Sequence, residues 1–470
     1  MNFQFAAELV FWLSAAALFY VYLGYPLLVY LVSVAFPKPV RRGGFEPPVT
    51  VLITAYNEEK AIRAKLENTL LIDYPKEKLE ILVASDGAAD QTDEIVRGFA
   101  DRGVRLFHQP GRKGKTFTQN EAVGRCSGEI LLFSDATTEY RPDVLRKMLP
   151  NFADETVGCV AGKLVYVDGS GSGVGRGAKS YWSYETLLKE SESRACSLIG
   201  ASGCLYAVRR AAYRPMYPEA CSDFLICTIL YEQGLRSVYE PEAVCTEETN
   251  RHAGKEMSMR VRVISQTFTD LWRNRGMLSP FKSGFYAVEL ISHKLMRYAV
   301  PLFLALTAVS SAVLAADSPF FLALALGQTA VYAAAILGWL LERSGHRIAV
   351  FAIPQYFVLA NLASAIGFYK FLRGERYARW EPIREQAREQ LVDPFRVPGA
   401  GARDGGEVLV HRQRLEDVAL LRHPADAGCR ARIRRQLVQC RAGQRDAAGM
   451  ALRCPRQRVD QRGLAGTVAA

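Results

Sequence analysis

Two aspartates stand where buried strands of a sheet would end, and between them a lysine stands at the start of a helical pattern. Ile130–Phe133 is an unbroken apolar run that stops at Ser134-Asp135, as a strand covered on both faces would. A carboxylate at the carboxyl end of a buried parallel strand lies at the open edge of the sheet, where α/β folds bind ligands. An aspartate there can hold a divalent cation, and the cation can neutralise a pyrophosphate. Two earlier runs end the same way, Val49–Thr54 at Ala55-Tyr56-Asn57-Glu58 and Leu79–Ala84 at Ser85-Asp86-Gly87. The three polar ends should gather on one edge, with Lys115 entering from a later loop. The plainer alternative makes Asp135 a loop opener, Asp86 a cap for the turn before Thr92, and Lys115 a solvated surface charge.

The elements that must position these groups alternate. Strands at Val49–Thr54, Leu79–Ala84, Val104–Phe107 and Ile130–Phe133 are separated by helical patterns at Glu59–Leu71, Thr92–Ala100 and Thr116–Arg125. Such alternation indicates an α/β fold, a mostly parallel sheet with helices on both faces. Further on, Pro142–Phe152 reads as a helix and Val157–Val167 as a long strand or strand pair. Gly169–Gly177, rich in glycine and serine, reads as a mobile loop. A helix follows around Tyr181–Ser193, and Gly200–Tyr206 precedes a small turn. Asp223–Gln233 is a helix, Ser237–Tyr239 a short strand, and Glu256–Asn274 a basic amphipathic helix suited to a membrane surface.

The chain has 470 residues and a formal charge of +11, enough for one large domain plus membrane segments. The charge does not point to nucleic acid. Residues 391–470 hold 15 Arg, no Lys, 6 Asp and 2 Glu, a net +7, and much of the rest lies beside apolar segments. Leu9–Phe36 is long enough to span a bilayer. No Lys or Arg precedes it, while Lys38, Arg41 and Arg42 follow. The positive-inside bias therefore sets the amino terminus outside and the next domain in the cytoplasm. A cleaved signal peptide would need a basic leading region. Tyr298–Ala316, Phe320–Leu341 and Ile348–Tyr369 are further apolar candidates. Counting them as three crossings puts the basic segment Lys370–Arg379 outside, against its charge, so the last segment is re-entrant or one span is miscounted. The ten cysteines form no CxxC and no zinc-spaced pair with histidine, which reads as reduced cytosolic thiols. Beyond Phe395 there is no aromatic residue and no lysine. That tail cannot bury enough to fold alone and is expected to stay disordered.

In order along the chain, Thr54-Ala-Tyr-Asn-Glu58, Ser85-Asp-Gly, Gly114-Lys115, Ser134-Asp135, Gly203, Ser222-Asp223 and Arg260-Val-Arg262 form a pattern that resembles the family-2 glycosyltransferases. These have the GT-A fold, a Rossmann-like nucleotide-diphospho-sugar transferase domain, and include cellulose and hyaluronan synthases. The resemblance covers about Pro48 to Trp380 and is strongest to bacterial membrane members with flanking transmembrane helices. It implies an inverting transfer from a nucleotide-diphosphate sugar to a lipid-linked or glycan acceptor, in cell-surface or exported polysaccharide synthesis. It also implies roles. Ala55, Tyr56, Glu58 and Asp86 would grip the nucleoside, and Lys115 would reach the diphosphate. Asp135 would bind Mg2+ or Mn2+ through the phosphates. Asp223 would be the catalytic base, and Arg262 would stabilise the leaving group.

The chain departs from that pattern in three places. The metal motif, often Asp-x-Asp, is Asp135-Ala-Thr137 here. The base motif, commonly Thr-Glu-Asp, is Cys221-Ser222-Asp223. Of the Gln-x-x-Arg-Trp of polymerising relatives only Arg262 survives, with Met259 and Val263 in place of glutamine and tryptophan. A processive polysaccharide synthase is thus the second reading. An NTPase would need glycine at Gln109, and a dinucleotide oxidoreductase would need GxGxxG after the first strand. A non-enzymatic membrane scaffold or transporter is the rival of another class, though the trailing spans hold few of the internal charges an ion path needs. The expected organisation is a leading membrane helix and linker (1–47), a cytosolic GT-A domain (48–255), interface helices (256–297), a membrane region (298–380) and the tail (381–470). The expected location is the inner membrane, in contact with its lipid.

Overall fold

In a computed structural model the described residues are 3–167, 173–248, 253–344, 346 and 348–378. The tail expected to be disordered, 381–470, lies outside them.

One sheet of eight strands organises the domain. Its strands are β1 Val49–Ala55, β2 Leu79–Ser85, β3 Val104–His108, β4 Ile130–Asp135, β5 Glu139–Tyr140, β6 Val157–Val167, β7 Leu205–Arg209 and β8 Arg236–Glu248. They lie in the order β3-β2-β1-β4-β7-β6-β8-β5. Alternate residues of β1 and β4 enter different cores. Val49, Val51, Ile53, Ile130 and Leu132 pack with Ile62 and Leu66 on one face. Leu52, Leu131 and Phe133 pack with Leu225 and Ile226 on the other. Both strands are buried along nearly their whole length because both faces are covered.

The chain runs from β1 outward to β2 and β3, then returns to place β4 on the other side of β1. The carboxyl ends of β1 and β4 therefore flank the switch point where such sheets open a crevice. Register fixes the polar ends together, with Thr54 opposite Asp135 and Ala55 opposite Ser85.

Past β4 the sheet departs from the sequence expectation. β7 runs antiparallel to both β4 and β6, while β6 and β8 pair in parallel, so the sheet stays mostly parallel with β7 and the short β5 reversed. The sequence assigns no strand to residues 205–209, only a stretch Gly200–Tyr206 before a small turn, because so short an apolar run carries no periodic signal of its own. Here it is a central strand, with Tyr206 stacked on Phe133 at 4.8 Å. β8 continues well past Tyr239. Pro241 lies within it, and the sheet absorbs the proline in a register shift, from Gly162 opposite Glu240 to Lys163 opposite Val244, as proline in sheets requires. The loop expected over Gly169–Gly177 is helical from Gly173, within a helix Gly173–Ala195. That helix packs on Tyr25–Ala35 and on Ala352–Leu372, and this tertiary support outweighs the poor helix propensity of glycine.

Among the described residues, three helices are long and apolar enough to cross a membrane, Phe3–Ala35, Pro319–Arg343 and Ala349–Leu372. Val300–Leu314 joins them only as a pair with Phe285–Met296, bent by 56°. Contacts order these helices. Gln4 donates to Asp317 at 2.7 Å, and Trp12 stacks on Phe320. The turn after Leu314 thus lies at the amino-terminal end of the first helix. Pro319–Arg343 then runs back, with Gln355 donating to Glu342 at 2.6 Å. The final helix, Ala352–Leu372, lies along Ala253–Arg273 rather than leaving it. Tyr356 meets Arg260 and Glu256, a Cβ on Gly367 would fall 2.9 Å from Ile264 Cγ2, and Gln266 donates to the Tyr377 carbonyl at 2.7 Å. Both ends of this helix therefore stay beside the amphipathic helix.

Candidate functional site

The strand ends β1 and β2 build a platform of close backbone contacts. Asn57 takes a positive φ of 53° and its Oδ1 accepts the Ala89 N–H at 2.7 Å. The Glu58 N–H donates to Thr92 Oγ1 at 2.7 Å. Gly87 has φ +66°, and a Cβ there would fall 2.6 Å from the Gly111 carbonyl carbon. Glycine lets the two loops touch. Asp86 is fully buried and does not cap Thr92. It accepts the N–H groups of Lys113 (2.7 Å) and Gly114 (2.9 Å) and the Thr118 hydroxyl (2.8 Å). Arg112, from the same loop, lies over the Tyr56 ring at 4.1 Å. Asp86 thus sets the loop that delivers Lys115. Asp86→Ala would leave the buried Gly114 N–H and Thr118 hydroxyl unpaired, at roughly 2–4 kcal/mol. A clearly lower midpoint in denaturant unfolding is expected; an unchanged midpoint would remove this anchoring role.

Lys115 opens the helix Lys115–Val123 after Gly114, which has φ +103°. Its Nζ stands 2.5 Å from Asp135 Oδ1. Burial opposes the Lys115 charge, but the Asp135 carboxylate outweighs it and carries the pKa above its ordinary value. The turn after Asp135 is held from beneath by Lys65. This lysine is fully buried, donates to Ser134 Oγ (2.7 Å) and the Thr138 carbonyl (2.6 Å), and sits 3.7 Å over the Tyr140 ring. Burial lowers its pKa to about 7.

Asp223 reaches the same place from the other half of the sheet. β7 starts opposite Ser134, so Gly203 and Cys204 lie beside Asp135. A Cβ on Gly203 would fall 2.9 Å from Asp223 Oδ2, so glycine is what admits that carboxylate. Asp223 is in the first turn of Ser222–Glu232, whose N-cap is Cys221. Its Oδ1 accepts the Phe224 N–H and the Cys221 thiol, each at 3.1 Å. Cys221 is in turn tied to the interface helix, its N–H donating to Asp270 Oδ2 at 3.0 Å. Burial raises Asp270 to about 8, against the hydroxyl of Tyr217 bonded to it. About two turns earlier in that helix stands Arg262, whose pKa burial lowers against the pull of Cys221, Asp135 and Asp223.

Lys115, Asp135, Asp223 and Arg262 line one cavity of about 630 Å³. Its far wall belongs to the membrane-side helices, with Tyr184, Tyr298, Tyr356 and Phe357, and Met259 and Val263 face it too. Ala55, Tyr56, Glu58 and Asp86 do not line it; they lie across β1 at the neighbouring strand ends. Three groups were missed by sequence reasoning. Lys65 lies on the buried stripe Ile62–Leu66–Thr69 of its helix, and a lone lysine on an apolar face was the signal. Asp270 sits in a helix read only for its basic face. Glu247, at the end of β8, also lines the cavity, and burial and the Asp135 charge raise its pKa to about 7. Its strand had been taken to end at Tyr239.

Residues 50–216 match the family described as Glycosyl transferase family 2. An N-acetylglucosaminyltransferase of Sinorhizobium fredii is 24% identical over 295 residues, 59% of this chain and 70% of that protein. A poly-beta-1,6-N-acetyl-D-glucosamine synthase of Staphylococcus aureus is 27% identical over 221 residues, 46% of this chain and 53% of its own length. The chain thus spans about half of the second relative. Among solved structures, a mannosyltransferase of Pyrobaculum calidifontis in complex with GDP-Man and Mn2+ superposes with a TM-score of 0.61 at 22% identity, over 78% of this chain and all of that one. The likeness to that structure carries the fold, and the match over β1 to β7 carries the family: the chain bears a family-2 glycosyltransferase domain built on the GT-A fold.

Proposed function

We propose that the protein is an inverting, metal-dependent, membrane-bound glycosyltransferase. It moves a sugar from a nucleotide-diphosphate donor to a lipid-linked or glycan acceptor, in the synthesis of a cell-surface or exported glycan. The observation that carries the reading is the single cavity in which Lys115 and Asp135 face Asp223 and Arg262, with membrane-side helices as its other wall. The nucleoside would lie on the platform of Ala55, Tyr56, Glu58 and Asp86. Lys115 and Arg262 supply positive charge to the diphosphate as it leaves. Asp223 Oδ2 takes the proton of the acceptor hydroxyl, whose oxygen attacks the anomeric carbon from the side opposite the departing phosphate, so configuration inverts. The acceptor would enter from the membrane side.

A divalent cation fits the donor side. Asp135 already holds a positive group, the Lys115 ammonium, and a carboxylate completed by substrate phosphates is an ordinary Mg2+ or Mn2+ donor set. Such an ion supplies Lewis-acid neutralisation of the leaving nucleoside diphosphate. The helix arrangement supports a cytosolic catalytic domain at the inner membrane. Lys38, Arg41 and Arg42 follow the first helix on the catalytic side, and the last helix returns there.

The test is purified protein in detergent with a panel of nucleotide sugars. UDP-N-acetylglucosamine leads the panel because both relatives are named for that sugar. Donor-dependent release of nucleoside diphosphate is expected; a scaffold or transporter releases none. Product size is a separate prediction. The cavity carries Met259 and Val263 where polymerising relatives have a hydrogen-bonding glutamine and a sugar-stacking tryptophan. Transfer of one or a few sugars is therefore expected in a radiolabelled time course sized by gel filtration. Long product without intermediates would establish the processive alternative.

A further inference from the structure

The domain's metal motif lacks its second carboxylate, since Thr137 stands two residues after Asp135. We propose that Glu247 replaces it, as the second protein ligand of the donor-site cation. The inference rests on the donor-site reading above and adds a residue that lies 110 positions away in the chain.

Topology brings it there. β8 ends beside the short strand β5, with Thr246 opposite Glu139, so the next residue stands beside the turn that follows Asp135. The Thr137 hydroxyl donates to Glu247 Oε1 at 3.2 Å. Asp135 and Glu247 line the same cavity, and the Lys115 ammonium on Asp135 marks that place as one where a cation is held. Mg2+ and Mn2+ prefer anionic oxygen and are commonly held by one or two carboxylates with substrate phosphates. A threonine hydroxyl alone is a poor second ligand. A glutamate reaching in from the neighbouring strand restores the charge, and Thr137 becomes the group that orients it. No cluster of three or more metal-ligating side chains occurs among the described residues. That fits a site completed by the phosphates of the donor rather than one built of protein alone.

The experiment uses the full chain in detergent. Mn2+ is titrated with UDP or GDP present, and free Mn2+ is read by electron paramagnetic resonance. UDP and GDP binding without metal is read by calorimetry. Glu247→Gln keeps the shape and an acceptor for Thr137. It is expected to weaken Mn2+ binding by at least ~10-fold, since even outer-shell partners of metal ligands are worth ~10–100-fold, and to leave metal-free nucleotide binding unchanged. Adding Thr137→Asp to Glu247→Gln should recover Mn2+ affinity, because it restores the missing carboxylate; a misfolded variant could not be rescued this way. Wild-type Mn2+ affinity in Glu247→Gln, with affinity lost in Asp135→Asn, would overturn the assignment of Glu247 while leaving the donor site intact. Failure of the unmodified protein to bind Mn2+ with either nucleotide would overturn the donor-site reading itself, and this inference with it.

Discussion

Asp223→Asn is expected to lower kcat by ~10²–10⁴, the usual worth of a general base, and to leave KM for the donor within a few-fold. The substitution separates chemistry from structure. Asparagine has the same shape, and its side-chain oxygen can still accept the Phe224 N–H that now bonds Oδ1. Anchorage of the helix start to Asp270 runs through the Cys221 backbone and does not involve the carboxylate. What is lost is the basic oxygen Oδ2 beside Gly203, on the cavity wall. In the proposed mechanism donor binding rests on other groups, Lys115 and Asp135 on the cavity wall and the platform at the ends of β1 and β2. Kinetics over a range of donor concentration decide the matter. A collapse of donor affinity with kcat unchanged would make Asp223 a binding residue and leave the reaction without an identified base.

The half of the fold that precedes the site was legible because its signals are local. β1, β2 and β4 are apolar runs buried along nearly their whole length, each closed by a polar residue, and their parallel order follows from alternation with helices. The other half depends on pairings that no local pattern encodes. β7 is five residues long and antiparallel, β8 hides its length behind Pro241, and together they bring Gly203 and Glu247 to the edge. Asp86 and Lys115 were readable as candidates but not as a mechanical unit. Only the fold shows that the buried Asp86 carboxylate holds the loop from which Lys115 reaches Asp135. Lys65 was passed over for the converse reason. Its helix position was readable, but its partners Ser134 and Thr138 are some 70 residues away. The last apolar helix shows the limit of composition. It passes every test for a membrane span, yet its neighbours lie along the interface helix.

Metal removal should have the largest effect of all. Turnover is expected to fall to background in EDTA and to return with excess Mn2+ or Mg2+. Asp135→Ala is expected to cost at least ~10² in kcat/KM for the donor, the range found when one preorganised electrostatic contact is removed from a reacting centre. The argument turns on charge. A nucleoside diphosphate gains negative charge as it departs, and the positive side chains lining the cavity beside it include Lys115 and Arg262. Lys115 is already neutralised by Asp135 at 2.5 Å, and burial lowers the pKa of Arg262. A divalent ion on Asp135 would displace the Lys115 ammonium from that carboxylate and free it for the phosphates, so two positive groups would act where one pair now cancels. The two experiments separate these contributions. Asp135→Ala frees Lys115 without retaining the carboxylate that holds the ion. If that variant keeps full turnover and EDTA leaves the unmodified protein active, Lys115 and Arg262 suffice for the leaving group and the metal has no part in the reaction.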